Sequence, residues 1–213
     1  MSAGALAVIA KAPRAGRSKT RLCPPCTPQQ AADLARAALQ DTLAALLDAR
    51  CHRRILVLDG EPGDWLPRDA GIEVVAQRGA GLGERLAAAF ADVGGPLFLV
   101  GMDTPQIAAR DLEAGLAALL THDAVLGPSP DGGYWGIGLR GPRDDVFAGV
   151  PMSSSTTRAA QERRLLELGL GCARLRALRD VDTFADARLV ANEARSSRFA
   201  AALALISSGE AAA

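Results

Sequence analysis

Leu6-Ala-Val-Ile-Ala10 runs without a break into Lys11-Ala-Pro-Arg-Ala-Gly-Arg-Ser-Lys-Thr-Arg21. The apolar run has the length of a buried strand and is too short for a helix. The eleven residues after it carry five cations, Lys11, Arg14, Arg17, Lys19 and Arg21, with Pro13 to stiffen the turn and Gly16 to let a backbone come close. Such a loop suits phosphate oxygens, arginine as a fork and lysine as a point charge; a solvated basic loop is the alternative. It is not a Walker A loop, because Ser18 stands where that pattern needs glycine before its Lys-Thr pair.

Outward from this stretch the same grammar repeats. Ile55–Leu58, Ile72–Ala76, Leu97–Gly101, Val125–Gly127 and Gly136–Leu139 read as further buried strands. Between them, Pro28–Ala49, Gly83–Val93, Ala109–Thr121, Thr156–Leu168 and Phe184–Phe199 read as helices. In the first of these, Ala31, Leu34, Ala35, Ala38, Leu39, Thr42 and Ala45 make a stripe at helical spacing, and Thr27 before Pro28 is a start signal. Strands alternating with helices predict an α/β fold with a mixed, mainly parallel sheet covered on both faces. With 213 residues, at roughly 150 per domain, one domain is expected, over residues 1–206, with a frayed tail at 207–213.

Composition narrows the partners. Hydrophobic residues are 49% and charged residues 23%, which excludes a collagen-like or disordered chain. Net charge is zero, so neither nucleic acid nor an anionic membrane is the expected partner. No basic start precedes the first apolar run, and no run reaches the roughly 20 residues of a membrane span, so a cytoplasmic location is expected. Cys23-Pro-Pro-Cys26 lacks the second ligand pair that a zinc site needs, and reads as spare thiols.

In an open parallel sheet, ligands bind beyond the carboxyl ends of the strands. The residues there are therefore the candidates. Asp103 ends the very apolar run Leu97–Gly101; a hard carboxylate facing a phosphate loop suits Mg²⁺ or Mn²⁺, while capping the next helix is the alternative. Asp131-Gly132-Gly133-Tyr134 follows Val125–Gly127 and offers either a tight turn or a place where backbone meets a ligand, with Tyr134 to stack on it and Asp131 as a general base. Gly79-Ala-Gly-Leu-Gly83-Glu84 misses the dinucleotide fingerprint by one place. It either presents amides around Gly83 and Glu84 to a ligand or simply makes the turn into a helix. Asp180-Val-Asp182-Thr183 comes too late in the chain for a haloacid-dehalogenase-type phosphatase, and helix capping is its simpler reading.

At these motifs the sequence resembles bacterial GT-A-type transferases of the arsenosugar-biosynthesis glycosyltransferase type, within the nucleotide-diphospho-sugar transferase superfamily. The segments that carry the resemblance are 11–22, 77–86, 101–105, 127–134 and 180–183, in the family's order. The resemblance implies a single GT-A-like (Rossmann-like) domain binding a nucleotide or nucleotide sugar and a small-molecule acceptor. It implies that Lys19 and Arg21, with Lys11 and Gly16 beside them, hold the diphosphate. Asp103 would coordinate Mg²⁺ or Mn²⁺, and Asp182 would complete the metal site. Two features depart from the pattern. The common Asp-x-Asp is reduced to Asp103 alone, and Met152-Ser-Ser-Ser155 stands where relatives often carry a tryptophan-containing segment. The expectation is a metal-dependent transferase with a nucleotide-activated donor, most readily a glycosyltransferase. The alternatives are a nucleotidyltransferase that releases pyrophosphate and a non-catalytic nucleotide-binding module.

Overall fold

A computed structural model describes residues 4–68 and 70–210. Seven strands form one sheet: β1 Ala5–Lys11, β2 Arg53–Asp59, β3 Ile72–Ala76, β4 Leu97–Gly101, β5 Ala124–Pro128, β6 Tyr134–Leu139 and β7 Cys172–Arg174. Their order across the sheet is β3-β2-β1-β4-β6-β5-β7. All pairings are parallel except those of β6, which runs antiparallel to both β4 and β5. The expected mixed, mainly parallel sheet is therefore observed. β7 is absent from the sequence reading, because three residues ending in a charge give no period-2 signal.

The helices are α1 Pro28–Asp48, α2 Leu82–Val93, α3 Ala109–Ala118, α4 Thr157–Glu167, α5 Phe184–Glu193 and α6 Arg198–Glu210. Alternation along β1 divides the core. Leu6, Val8 and Ala10 face a layer with Leu39, Leu43 and Leu46 of α1 and Leu112 and Leu116 of α3. Ala5 and Ala7 face the opposite layer, with Leu86, Ala89 and Phe90 of α2 and Leu165 of α4. α1 starts as its sequence predicts: Gln30 N–H donates to Thr27 Oγ1 and Thr27 N–H to Gln30 Oε1, a reciprocal cap ahead of Pro28.

Two expectations need correction at the C-terminus. The single helix read over Phe184–Phe199 is two helices, broken at 194–197, and α6 runs on to Glu210. The tail expected from 207 therefore begins inside a helix, and 211–213 lie outside the described residues. The cause is tertiary. Phe199, Leu203 and Ile206 lie one turn apart and pack with Val190 on the outer face of α1, against Leu34 and Ala38. Asp41 of α1 accepts from the N–H groups of Arg198 and Phe199, satisfying the first amides of α6 from another helix.

Candidate functional site

The carboxyl ends of β1, β4 and β5 and the start of the reversed β6 meet at one rim, over a cleft of about 780 Å³. Its walls come from segments as far apart in sequence as Ile9 and Asp182. Lys11, Lys19, Arg21, Asp103, Asp131, Gly133, Tyr134 and Asp182, all candidates from sequence, line it. Gly16, Gly83, Glu84 and Gly132 do not. Gly16 makes the tight turn of the basic loop at φ 74°. Glu84 Oε2 accepts from Ala80 N–H at 2.8 Å and so closes the glycine turn ahead of α2. Gly83 and Gly132 are packing positions against the segment 152–155: a Cβ on Gly83 would stand 3.4 Å from Met152, and one on Gly132 would meet the Ser155 carbonyl.

The acidic end of the cleft is tied together through one backbone residue. Val181 is fully buried against α1 and α5, so in an extended stretch Asp180 and Asp182 point the other way, toward the cleft. Val181 N–H donates to the Asp103 carbonyl at 2.9 Å, and the Lys19 ammonium donates to the Val181 carbonyl. Lys19 Nζ also lies 2.8 Å from Asp103 Oδ1, with its side chain only 10% exposed. A buried ammonium must be paired, and Lys19 is. The chain before this knot is sewn to the rim in steps: Leu175 N–H donates to the Leu126 carbonyl and Leu178 N–H to that of Pro128. Arg176 grips the buried Asp111 with two hydrogen bonds of 2.6 and 2.7 Å.

The cations differ in how they are paired. Lys19 and Arg21 are both engaged by acids, Arg21 with Asp182 at 3.3 Å on an exposed edge. Lys11 and Arg17 also line the cleft, and among the described residues neither has an acidic partner. Sequence reasoning missed Asp180. Its Oδ1 is buried and, among the described residues, has no hydrogen-bond partner of ordinary geometry. Burial first, then the neighbouring carboxylates of Asp131, Asp103 and Asp182, push its pKa up to about 6, against the opposing effect of the Ser129 side chain. Its position two residues before Asp182 was the available signal, since alternate residues of an extended stretch share a side.

Tyr134 is held rather than free. Its hydroxyl donates to Gln161 Oε1 at 3.4 Å and lies 3.8 Å from Met152 Sδ, while Gln161 Nε2 donates to the Val146 carbonyl. Burial pushes the phenol pKa up, so at neutral pH the ring is a fixed wall and not an acid or base. Asp131 Oδ1 accepts from Gly133 N–H at 2.9 Å, an Asx turn that leaves Oδ2 to the cleft.

The family profile described as "Uncharacterized protein conserved in bacteria (DUF2064)" matches residues 42–154, more than half of the chain. The chain belongs to the DUF2064 family. The match spans β2 through β6 and takes in Asp103 and the Asp131–Tyr134 turn. Among solved structures, the DUF2064 chain is similar to a protein from Desulfovibrio desulfuricans G20, provisionally named a nucleotide-diphospho-sugar transferase. The two are 28% identical over 99% of this chain and 96% of that one, with a TM-score of 0.85. It shares its fold with 2-C-methyl-D-erythritol 4-phosphate cytidylyltransferase from Thermus thermophilus, at 17% identity, 92% and 100% coverage and a TM-score of 0.56. A nucleotidyl transferase from Methanothermobacter thermautotroptrophicus stands at 17%, 90% and 98%, and 0.58. No curated protein matches the sequence. Among the described residues no helix is long and apolar enough to cross a membrane.

Proposed function

We propose that this DUF2064 protein is a transferase acting on a nucleotide-activated donor, and that it transfers a glycosyl group. One observation carries the reading: a phosphate-suited basic loop and a group of carboxylates, distant in sequence, converge on one cleft at the carboxyl rim of the sheet. The likeness to the Desulfovibrio protein supports it, as does the wider likeness to nucleotidyltransferase folds. The finer resemblance to the arsenosugar-biosynthesis type belongs with the same reading.

Lys11 and Arg17, unpaired on the cleft wall, would take the donor's diphosphate, with the exposed Arg21 beside them. Lys19 would keep Asp103 in place. Asp131 Oδ2 would accept the proton from the acceptor hydroxyl as its oxygen bonds to the transferred carbon and the nucleoside diphosphate leaves. Holding donor and acceptor together removes the entropy of their encounter.

The donor set fits Mg²⁺ or Mn²⁺. Asp103, Asp180 and Asp182 offer hard carboxylate oxygens, and the buried Asp180 Oδ1 has no hydrogen-bond partner of ordinary geometry among the described residues. Among the described residues no three potential ligands are already gathered for a metal. An ion such as Mg²⁺ is commonly held by one or two carboxylates together with substrate phosphates. When bound, the ion would neutralise charge on the departing phosphate.

A thermal-shift screen of nucleotides and nucleotide sugars, with and without Mg²⁺ or Mn²⁺, tests the reading. A ligand at 100 times its Kd raises stability by about 2.7 kcal/mol. Incubating the stabilising donor with acceptor pools then identifies the product. Nucleoside diphosphate supports glycosyl transfer, pyrophosphate points to nucleotidyl transfer, and binding without any turnover would leave a nucleotide-binding module.

A further inference from the structure

The cations of the cleft wall all come from the first half of the chain. Each lies before β4: Lys11, Arg17, Lys19, Arg21 and Arg85. From residue 131 onward every lining residue is neutral or acidic. In that second half the Tyr134 ring and the Met152 side chain form one wall over Ile137, and Ser153 and Ser155 stand at the edge. The two serine hydroxyls are exposed and make no hydrogen bond among the described residues.

The segment carrying them is fixed. Thr157 Oγ1 accepts from Ser154 N–H at 3.0 Å and donates to the Pro151 carbonyl at 2.7 Å. Ser154 Oγ is taken up by Thr156 Oγ1, and Arg158 N–H donates to the Gly132 carbonyl at 2.9 Å. Ser153 sits in the left-handed region at φ 56°. Two exposed hydroxyls with no protein partner among the described residues, on a braced segment beside an apolar wall whose own hydroxyl is tied back to Gln161, make a surface with ring-face and edge complementarity.

We propose that this half of the cleft is the acceptor subsite and that it takes an uncharged, hydroxylated ring. The apolar face of the ring lies on Tyr134 and Met152, and its hydroxyls bond to Ser153 and Ser155. The charge distribution opposes a phosphorylated or carboxylated acceptor. Such a group would sit beside Asp131, where the neighbouring Arg179 is already held by Asp186 at 3.0 Å, and like charge at a recognition surface opposes binding. The inference rests on the transferase reading above, and it favours transfer to a hydroxyl over transfer to a phosphate.

Tyr134 is the single tyrosine of the chain, so ring-labelled tyrosine gives one NMR signal, placed at the subsite. The protein is titrated with methyl glucoside, methyl galactoside and methyl mannoside, and separately with glucose 1-phosphate. Each titration is run with and without the nucleotide that stabilises it most. The expected result is a saturable shift with at least one methyl glycoside and at least tenfold weaker binding of the phosphate ester. The double variant Ser153→Gly and Ser155→Ala, in which glycine keeps the left-handed position comfortable, should bind the glycoside about tenfold more weakly with an unchanged nucleotide shift. The proposal is overturned if no glycoside moves the Tyr134 signal, if glucose 1-phosphate binds as well or better, or if the double variant keeps full affinity. Should no nucleotide stabilise the protein, the donor reading fails by itself, and the glycoside titration still decides the subsite.

Discussion

Replacing Gly132 with alanine should disrupt the acceptor side of the cleft from a distance. Gly132 has φ +92°, and a Cβ there would lie 2.6 Å from the carbonyl carbon of Ser155, backbone that cannot rotate aside. A non-glycine residue at positive φ costs about 1–2 kcal/mol, and forcing a contact with fixed backbone apart costs about 1–3 kcal/mol more. The expected destabilisation is therefore about 3 kcal/mol. For a chain of 150–250 residues each kcal/mol lowers Tm by about 2–4 °C, so Tm should fall by about 6–12 °C. Gly133→Ala is the control. Its backbone has ordinary φ, and its Cβ would stand 3.2 Å from Asp131 Oδ1, the end of a side chain that can yield. It should melt within about 3 °C of the parent. Scanning calorimetry on the three proteins decides the matter. Equal melting of Gly132→Ala and the parent would refute the packing of segment 152–155 on this turn, and with it the rigidity on which the acceptor subsite depends.

Further predictions concern the charges. Lys11→Ala and Arg17→Ala should each weaken nucleoside diphosphate binding by about tenfold or more, the loss of one charged hydrogen bond, with Tm unchanged; calorimetric titration reads both. Lys19→Ala should instead lower Tm, because it strips the partner from Asp103 and from the Val181 carbonyl; an unchanged melt would return Lys19 to the ligand-binding set. Asp131→Asn should retain nucleotide affinity and Tm but lose turnover, and full turnover would remove Asp131 as the base. Asp180 has a folded pKa raised from 3.8 to about 6, so the folded protein holds the proton that the unfolded chain gives up. Its contribution therefore weakens the fold as pH rises from about 4 to about 6 and stays unfavourable above that. In metal-free buffer, Asp180→Asn should be more stable than the parent at pH 8, by about 2–3 kcal/mol at most, and the gap should close by pH 4. A constant gap across that range of denaturant titrations would show that Asp180 is not the group responsible.

The sequence by itself determined the sheet and most of its covering. Apolar runs such as Leu97–Gly101 and stripes such as Ala31–Ala45 are local patterns, and burial enforces them wherever the chain is compact. It also placed Lys11, Lys19, Asp103, Asp131 and Tyr134 on one rim, because the carboxyl ends of neighbouring parallel strands share an edge. Pairing is another matter. Whether Lys19 faces a ligand or Asp103 depends on Val181, 162 residues away, offering its carbonyl to that ammonium. That Lys19 and Arg21 pair with acids, while Lys11 and Arg17 have no acidic partner among the described residues, therefore could not be read along the chain. β7 was likewise invisible, since three residues acquire strand geometry only from the neighbour β5 that pairs with them. The break at 194–197 and the last helix were set by Asp41 and the outer face of α1. Asp180 became distinctive only once folding enclosed its Oδ1 with no partner of ordinary geometry among the described residues, because desolvation is a property of the surroundings that tertiary structure brings and not of the residue itself.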